Sequence, residues 1–317
     1  MTAATPLPVP ADPASEAPVT RAEKRKKRSS ANRAATSLSS RTGSLVAIIM
    51  AVLWTTPTFG LLVTSFRTQA DIQDTGWWNA FGQLDRWTLS NYDMAFNGGG
   101  DNATPMGDFF INSIVIAVPA VFLPLLLASL AAYAFAWIKF PGRDWLFVAV
   151  FALQIVPLQI ALLPLATWFT RVGIGGTFWA LWLSHTAFAL PLAVYLLHNF
   201  MKEIPPSLLE AARVDGASHM RIFLQVLLPL ITPALASFGI FQFLWVWNDL
   251  LVALTMLGGS PENAPITMEL NQISGTLGNR WYLLSAAAFI SISVPVVVFV
   301  FMQRYFVRGL LAGGTKG

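Results

Sequence analysis

"EAARVDGASHMRIFLQVLLP", residues 210 to 229, decides how this chain is read. Glu210, Arg213, Asp215, His219 and Arg221 crowd together in a sequence that is otherwise strongly apolar. The 317 residues are 55% hydrophobic and 11% charged, with a mean hydropathy of +0.58. A soluble domain carries roughly a quarter of its residues as Asp, Glu, Lys and Arg, so this is the composition of an integral membrane protein. The polar stretch therefore needs a reason that the lipid phase does not supply.

Apolar runs long enough to cross a bilayer, roughly 20 residues each, fall at 44–65, 110–137, 144–169, 177–200, 230–252 and 282–303. They predict an all-α polytopic protein of six transmembrane helices. The basic residues test that plan. The N-terminal tail and segments 138–144, 201–221 and 304–317 hold 16 Lys and Arg between them, whereas the alternate loops hold four, Arg67, Arg86, Arg171 and Arg280. By the positive-inside rule both termini are cytoplasmic. The net charge of +4 then reflects topology and membrane lipid, and no nucleic-acid partner is expected.

Residues 1–43 begin Pro/Ala-rich and become basic, which predicts a disordered cytoplasmic tail ahead of a membrane domain over 44–305 and a cytoplasmic C-terminal tail over 306–317. The first apolar run is longer than the core of a signal peptide, so it is expected to be retained. The 67–109 loop is acidic and holds Trp77, Trp78 and Trp87, which places it outside with its indoles at the interface.

The polar segment has its own grammar. Pro205 and Pro206 stop the preceding helix, Ser207 and Glu210 have the spacing of a capping box, and Gly216 supplies a stop. These predict a helix over 208–215, about 12 Å long at 1.5 Å per residue. A helix that short is not stable alone and must lean on something. Ala211 and Ala212 give it a face of low bulk, open to close approach by another protein. An interfacial helix lying on the headgroups is the alternative. Such helices carry large apolar anchors and many lysines, whereas here Leu208 and Leu209 are followed by alanines and by charges of both signs.

Glu210-Ala211-Ala212, Gly216 after three residues, and Val226-Leu227-Leu228-Pro229 after nine more resemble the EAA loop of the membrane subunits of bacterial ABC importers, with Val226 in place of Ile. Stretches 129–143, 191–218, 247–254 and 303–317 resemble the carbohydrate-importer permeases of the maltose type, so the likeness covers 44–317. The resemblance implies a type I importer permease fold in a bacterial cytoplasmic (inner) membrane. It also implies a docking helix, Glu210, Ala211, Ala212, Arg213, Asp215 and Gly216, seated in a cleft of a cytoplasmic ATPase. Gly309, Leu310, Leu311, Ala312, Gly313 and Gly314 resemble a tail that reaches the ATPase dimer interface. The implied partners are a second, different permease, an ATPase homodimer and an extracytoplasmic sugar-binding protein, toward which the resemblance has the polar 258–281 loop reach through Asn271, Gln272 and Ser274, an ordinary solvated loop being the alternative. The implied cargo is an α-glucoside or other oligosaccharide, with glycerol-phosphate or a polyol as the alternative.

Beside that likeness the residues set limits. None of the 22 glycines precedes a lysine, so a P-loop is absent; the chain is not an enzyme, has no catalytic residues and holds no cofactor, ATP and Mg being bound by the partner ATPase. With no cysteine, and three histidines at no metal-binding spacing, a metal site is not expected, which disfavours a polytopic enzyme acting on lipid-linked substrate. An ion-coupled carrier needs carboxylates along a buried path, and Asp249 is nearly alone. Gln154, Gln159, His185, Gln242, Asn248 and Asp249 are candidates for a translocation path, although interhelical hydrogen bonds explain them equally well. Asp249, near the outer boundary, reads best as a structural cap. Ala128, Ala132 and Ala136, four residues apart, mark a close-packing helix face.

Overall fold

The structure is a computed structural model that describes residues 41–98, 105–260, 262–275 and 280–314, with side chains described for 42–303 of these. Most of the expected tail, residues 1–40, lies outside the described residues. The chain divides into two compact units, Met1–Gly60 and Leu61–Gly317. In the first, residues 41–60 are helical and carry outward-facing Leu45, Ile48, Leu53 and Trp54, the surface that a lipid-embedded helix requires.

Among the described residues the α-helices, in chain order, are α1 Arg41–Ser65, α2 Gln69–Asp74, α3 Ser90–Asn97, α4 Met106–Trp137, α5 Arg143–Ala152, α6 Leu158–Arg171, α7 Phe178–Lys202, α8 Pro206–Val214, α9 His219–Ile222, α10 Leu228–Trp247, α11 Leu251–Leu257, α12 Ile266–Ser274 and α13 Trp281–Gly314. Among the described residues five stretches are long and apolar enough to cross a membrane: Thr42–Ser65, Met106–Trp137, Phe178–Lys202, His219–Trp247 and Trp281–Gln303. A sixth is a pair, Arg143–Ile155 and Leu158–Arg171, bent by 100°.

Small residues set the packing. Ala128, Ala132 and Ala136 are buried on one face of α4 and share a core with Ala189, Ala193 and Leu197 of α7, so the expected alanine face is where these two helices pack. With lipid tails as apolar as leucine, close backbone approach replaces the hydrophobic effect as the packing force. A second core joins Ile116, Ala117 and Ala120 of α4 to Leu181 of α7, Trp247 of α10, Met256 of α11 and Ala286 of α13.

Several expected span boundaries are corrected. The 144–169 span is not one straight helix, because after a 3-10 turn at Leu153–Ile155 the chain breaks before Pro157, which has no N–H to continue the ladder. The 230–252 span instead runs from His219 to Trp247, with a π-helical turn at Phe223–Leu227, and stops where Asn248 and Asp249 turn their side chains onto the backbone. The second span begins at Met106 rather than 110, and the last helix, α13, continues as backbone helix to Gly314. The polar 258–281 loop contains α12, whose buried face carries Ile266, Glu269 and Ile273.

The segment after α1 is held by polar contacts. Arg67, buried, donates to the Asp71 and Thr75 carbonyls, and the Asn91 amide donates to the carbonyls of Ser65 and Arg67, at 2.8 Å each. Asn91 thereby gives partners to carbonyls that the end of α1 leaves open. A hydrogen bond from Thr68, with the nearby Arg86 guanidinium, holds the Asp71 carboxyl below its ordinary range. Asn91→Leu removes both donors at a buried site and is expected to destabilise the protein by about 1–3 kcal/mol, read as a lowered Tm in detergent micelles; an unchanged Tm would show that water satisfies those carbonyls.

Candidate coupling helix and membrane cavity

Helix α8 is the short helix expected from the sequence, displaced to Pro206–Val214. The expected capping box does not form. Pro205 occupies the N-cap without a side-chain hydrogen bond and Pro206 sits at the first helical position, so Ser207 lies inside the helix rather than before it. The start is fixed by proline geometry. The C-terminal end is a Schellman motif, with Ala217 N–H on the Ala212 carbonyl and Gly216 N–H on the Arg213 carbonyl, both at 3.0 Å. Gly216 has φ +77°, and an added Cβ would meet nothing within 4 Å, so it is required for its backbone conformation alone.

Leu209, with half-buried Ala212 beside it, ties α8 to the membrane domain. Leu209 is 2% exposed and belongs to the core that contains Leu197 and Met201 of α7 and Ile222, Phe223 and Leu227 of the next segment. The other face is open: Glu210, Ala211, Arg213, Asp215 and Gly216 are exposed, Ala212 is half-buried, and the valine at 214 is 87% exposed. Ser218 then caps α9, accepting from the Arg221 N–H at 3.4 Å. The Gly309–Gly314 stretch continues α13 as backbone helix; its side chains, and with them the expected ATPase contact, lie outside the described residues.

The break at Pro157 opens a cavity of about 790 Å³. The broken segment contributes Gln154 and Pro157, α6 contributes Trp168, α7 contributes Phe188, and α10 contributes Phe241, Gln242 and Trp245. Its size is that of a site for a small organic molecule. Of the six residues expected on a path, this cavity gathers Gln154 and Gln242. The Gln242 side chain, 1% exposed, donates to the Ala120 carbonyl at 3.2 Å, leaving its own carbonyl oxygen to accept.

The other four are elsewhere. Gln159 is exposed and off the cavity wall. The Asn248 amide donates to the Leu244 carbonyl at 2.7 Å, ending α10. Asp249 accepts from the N–H groups of Val252 and Ala253 at 3.3 and 3.1 Å and so caps α11, the structural role its position suggested, while its own carbonyl accepts from Thr267 at 2.6 Å. His185 Nε2 stands 3.8 Å from the Asp249 carboxylate, and the ring meets Trp245 edge-on at 5.2 Å. Asn271, Gln272 and Ser274 are exposed on α12, which also carries buried Glu269, whose burial raises its carboxyl above the ordinary range. The sequence reading missed the aromatic walls of the cavity; Pro157 inside an apolar run was the signal that could have located them.

Residues 124–311 match the model of the binding-protein-dependent transport system inner membrane component. The chain is 49% identical over 272 residues to the osmoprotective compounds uptake permease protein GgtD of Synechocystis sp., covering 85% of this chain and 90% of that protein. It is 48% identical over 237 residues to the alpha-glucoside transport system permease protein AglG of Rhizobium meliloti, covering 73% and 61%. It is 33% identical over 261 residues to the arabinooligosaccharides permease AraQ of Halalkalibacterium halodurans, covering 82% and 91%. In fold it matches a chain of a bacterial ABC transporter involved in the import of the polysaccharide alginate, with a TM-score of 0.66 at 20% identity over 84% of this chain and 98% of that one. The chain therefore belongs to the inner-membrane components of binding-protein-dependent transport systems, and is an ABC transporter permease with the type I importer fold.

Proposed function

We propose that this chain forms half of the translocation path of an ATP-driven sugar importer in the bacterial cytoplasmic membrane, with both termini in the cytoplasm. The observation that carries the reading is α8, rigid at both ends, anchored through Leu209 and otherwise presenting small, charged and apolar side chains outward. An apolar side chain as exposed as Val214 on a water-facing helix suits a protein surface better than solvent. The partner is a cytoplasmic ATPase dimer that binds ATP and Mg, since this chain has no P-loop. Closure of that dimer displaces α8 and biases the membrane helices between inward-facing and outward-facing states. The heteromeric complex is completed by a second permease and an extracytoplasmic binding protein, the latter facing Asn271, Gln272 and Ser274, with Gly309–Gly314 a further ATPase contact.

The cargo we favour is an α-glucoside or other oligosaccharide. The names of AglG and AraQ support that class. The cavity chemistry supports it too: aromatic faces from Trp168, Phe188, Phe241 and Trp245 suit the apolar faces of sugar rings, and the amides of Gln154 and Gln242 suit their hydroxyls.

Glu210→Ala is expected to weaken retention of the ATPase about tenfold or more in co-purification, as loss of a charge-assisted contact would, with membrane insertion unchanged; undiminished retention removes Glu210 from the interface. Gly216→Ala forces a Cβ into the left-handed region at a cost of about 1–2 kcal/mol, and is expected to lower transport and complex yield together. Gln154→Ala is expected to raise the KM for α-glucoside uptake in proteoliposomes while leaving ATPase retention intact; an unchanged KM places the sugar path elsewhere.

A further inference from the structure

The coupling reading leaves open how motion of α8 reaches the cavity. Leu209 packs into its core through apolar contacts, which hold position without fixing direction. The polar connection lies just beyond α8. Tyr133, 5% exposed near the end of α4, has its hydroxyl 2.7 Å from Nδ1 of His219, the first residue of α9. The hydroxyl donates when the ring proton is on Nε2. The two rings meet edge-on at 6.0 Å, and Phe223 holds the tyrosine from another side at 5.5 Å.

The setting is specific. Between the Schellman turn and His219 stands only Ser218, whose side chain caps α9, so His219 is stiffly joined to the end of α8. Arg221 bonds locally, to Gln225 and through its N–H to Ser218. Among the described residues, the Tyr133–His219 contact is the side-chain hydrogen bond that runs from the 206–222 stretch to another membrane helix. Helix α4 also carries Ala120, whose carbonyl accepts from Gln242 at the cavity, roughly 20 Å further along at 1.5 Å per residue.

We propose that the Tyr133–His219 hydrogen bond is the directional link through which displacement of the coupling helix is imposed on α4, with Tyr133 a positioning residue for transport. This rests on the coupling role assigned above. Apolar packing alone lets α8 and α4 slide past one another; a hydrogen bond has a preferred distance and angle and converts displacement of one element into displacement of the other.

The test uses the full assembly, this chain with its partner permease, ATPase pair and binding protein, in proteoliposomes. The quantity read is radiolabelled α-glucoside imported per ATP hydrolysed, with maltose or trehalose as probe, whichever the unaltered assembly takes up. Tyr133→Phe is expected to lower that ratio about fivefold, the factor corresponding to one hydrogen bond's net worth, with ATPase retention unchanged. His219→Ala is expected to match it, the double variant to fall no further than either single one, and His219→Gln, which keeps an acceptor in reach, to recover most of the ratio. An unchanged ratio in an intact Tyr133→Phe assembly, or losses that multiply in the double variant, overturns the link. If Tyr133→Phe does not assemble, His219→Ala decides, since His219 is exposed and its removal leaves the core intact. Failure of the unaltered chain to retain any ATPase would sink the coupling reading itself, a result distinct from an unchanged ratio.

Discussion

A backbone in lipid must satisfy its own hydrogen bonds, and the points where this chain leaves the helix show how each exit is made. At the end of α1 the Asn91 amide takes two carbonyls. At the end of α10 the Asn248 amide takes one carbonyl and the Asp249 carboxylate supplies acceptors for the N–H groups that open α11. At the end of α8 a left-handed glycine closes the last turn by backbone alone. Prolines at 119, 124, 191, 233 and 295 ride inside helices, whereas Pro157 follows a 3-10 turn and breaks its span.

That break shapes the cavity. Had 144–169 crossed as one helix, α7 and α10 would have a neighbour where the cavity now lies. The bend removes it and lines the space with Gln154 and the aromatic rings of three elements. The cavity and the docking helix lie on the same framework: α7 contributes to both the cavity wall and the core that receives Leu209, and α4 touches both through Gln242 and His219. Between them, α4 packs closely on α7 through alanines.

How much was legible depended on the range of the interaction. The membrane class, the helices near 44–65, 110–137, 177–200 and 282–303, the alanine face and the existence of a short helix around Glu210 follow from local periodicity and composition. Capping was harder, because Ser207 and Glu210 have the right spacing for a box that Pro205 and Pro206 pre-empt. Polar residues in apolar runs were harder still. Gln154, Gln159, His185, Gln242, Asn248 and Asp249 look alike in sequence, and only their neighbours divide them into cavity wall, exposed side chain, helix stop and helix cap.

The sequence by itself determined that this is a helical membrane protein with one short polar helix, because hydropathy and the Glu210–Pro229 pattern are properties of contiguous residues. Tertiary structure alone decided which residues face a cavity and which polar groups serve the backbone. It also decided that Tyr133 and His219 meet, 86 positions apart in the chain. Those are contacts between distant segments, and nothing in a linear sequence fixes the bend at Pro157 or the helix crossings that bring them together.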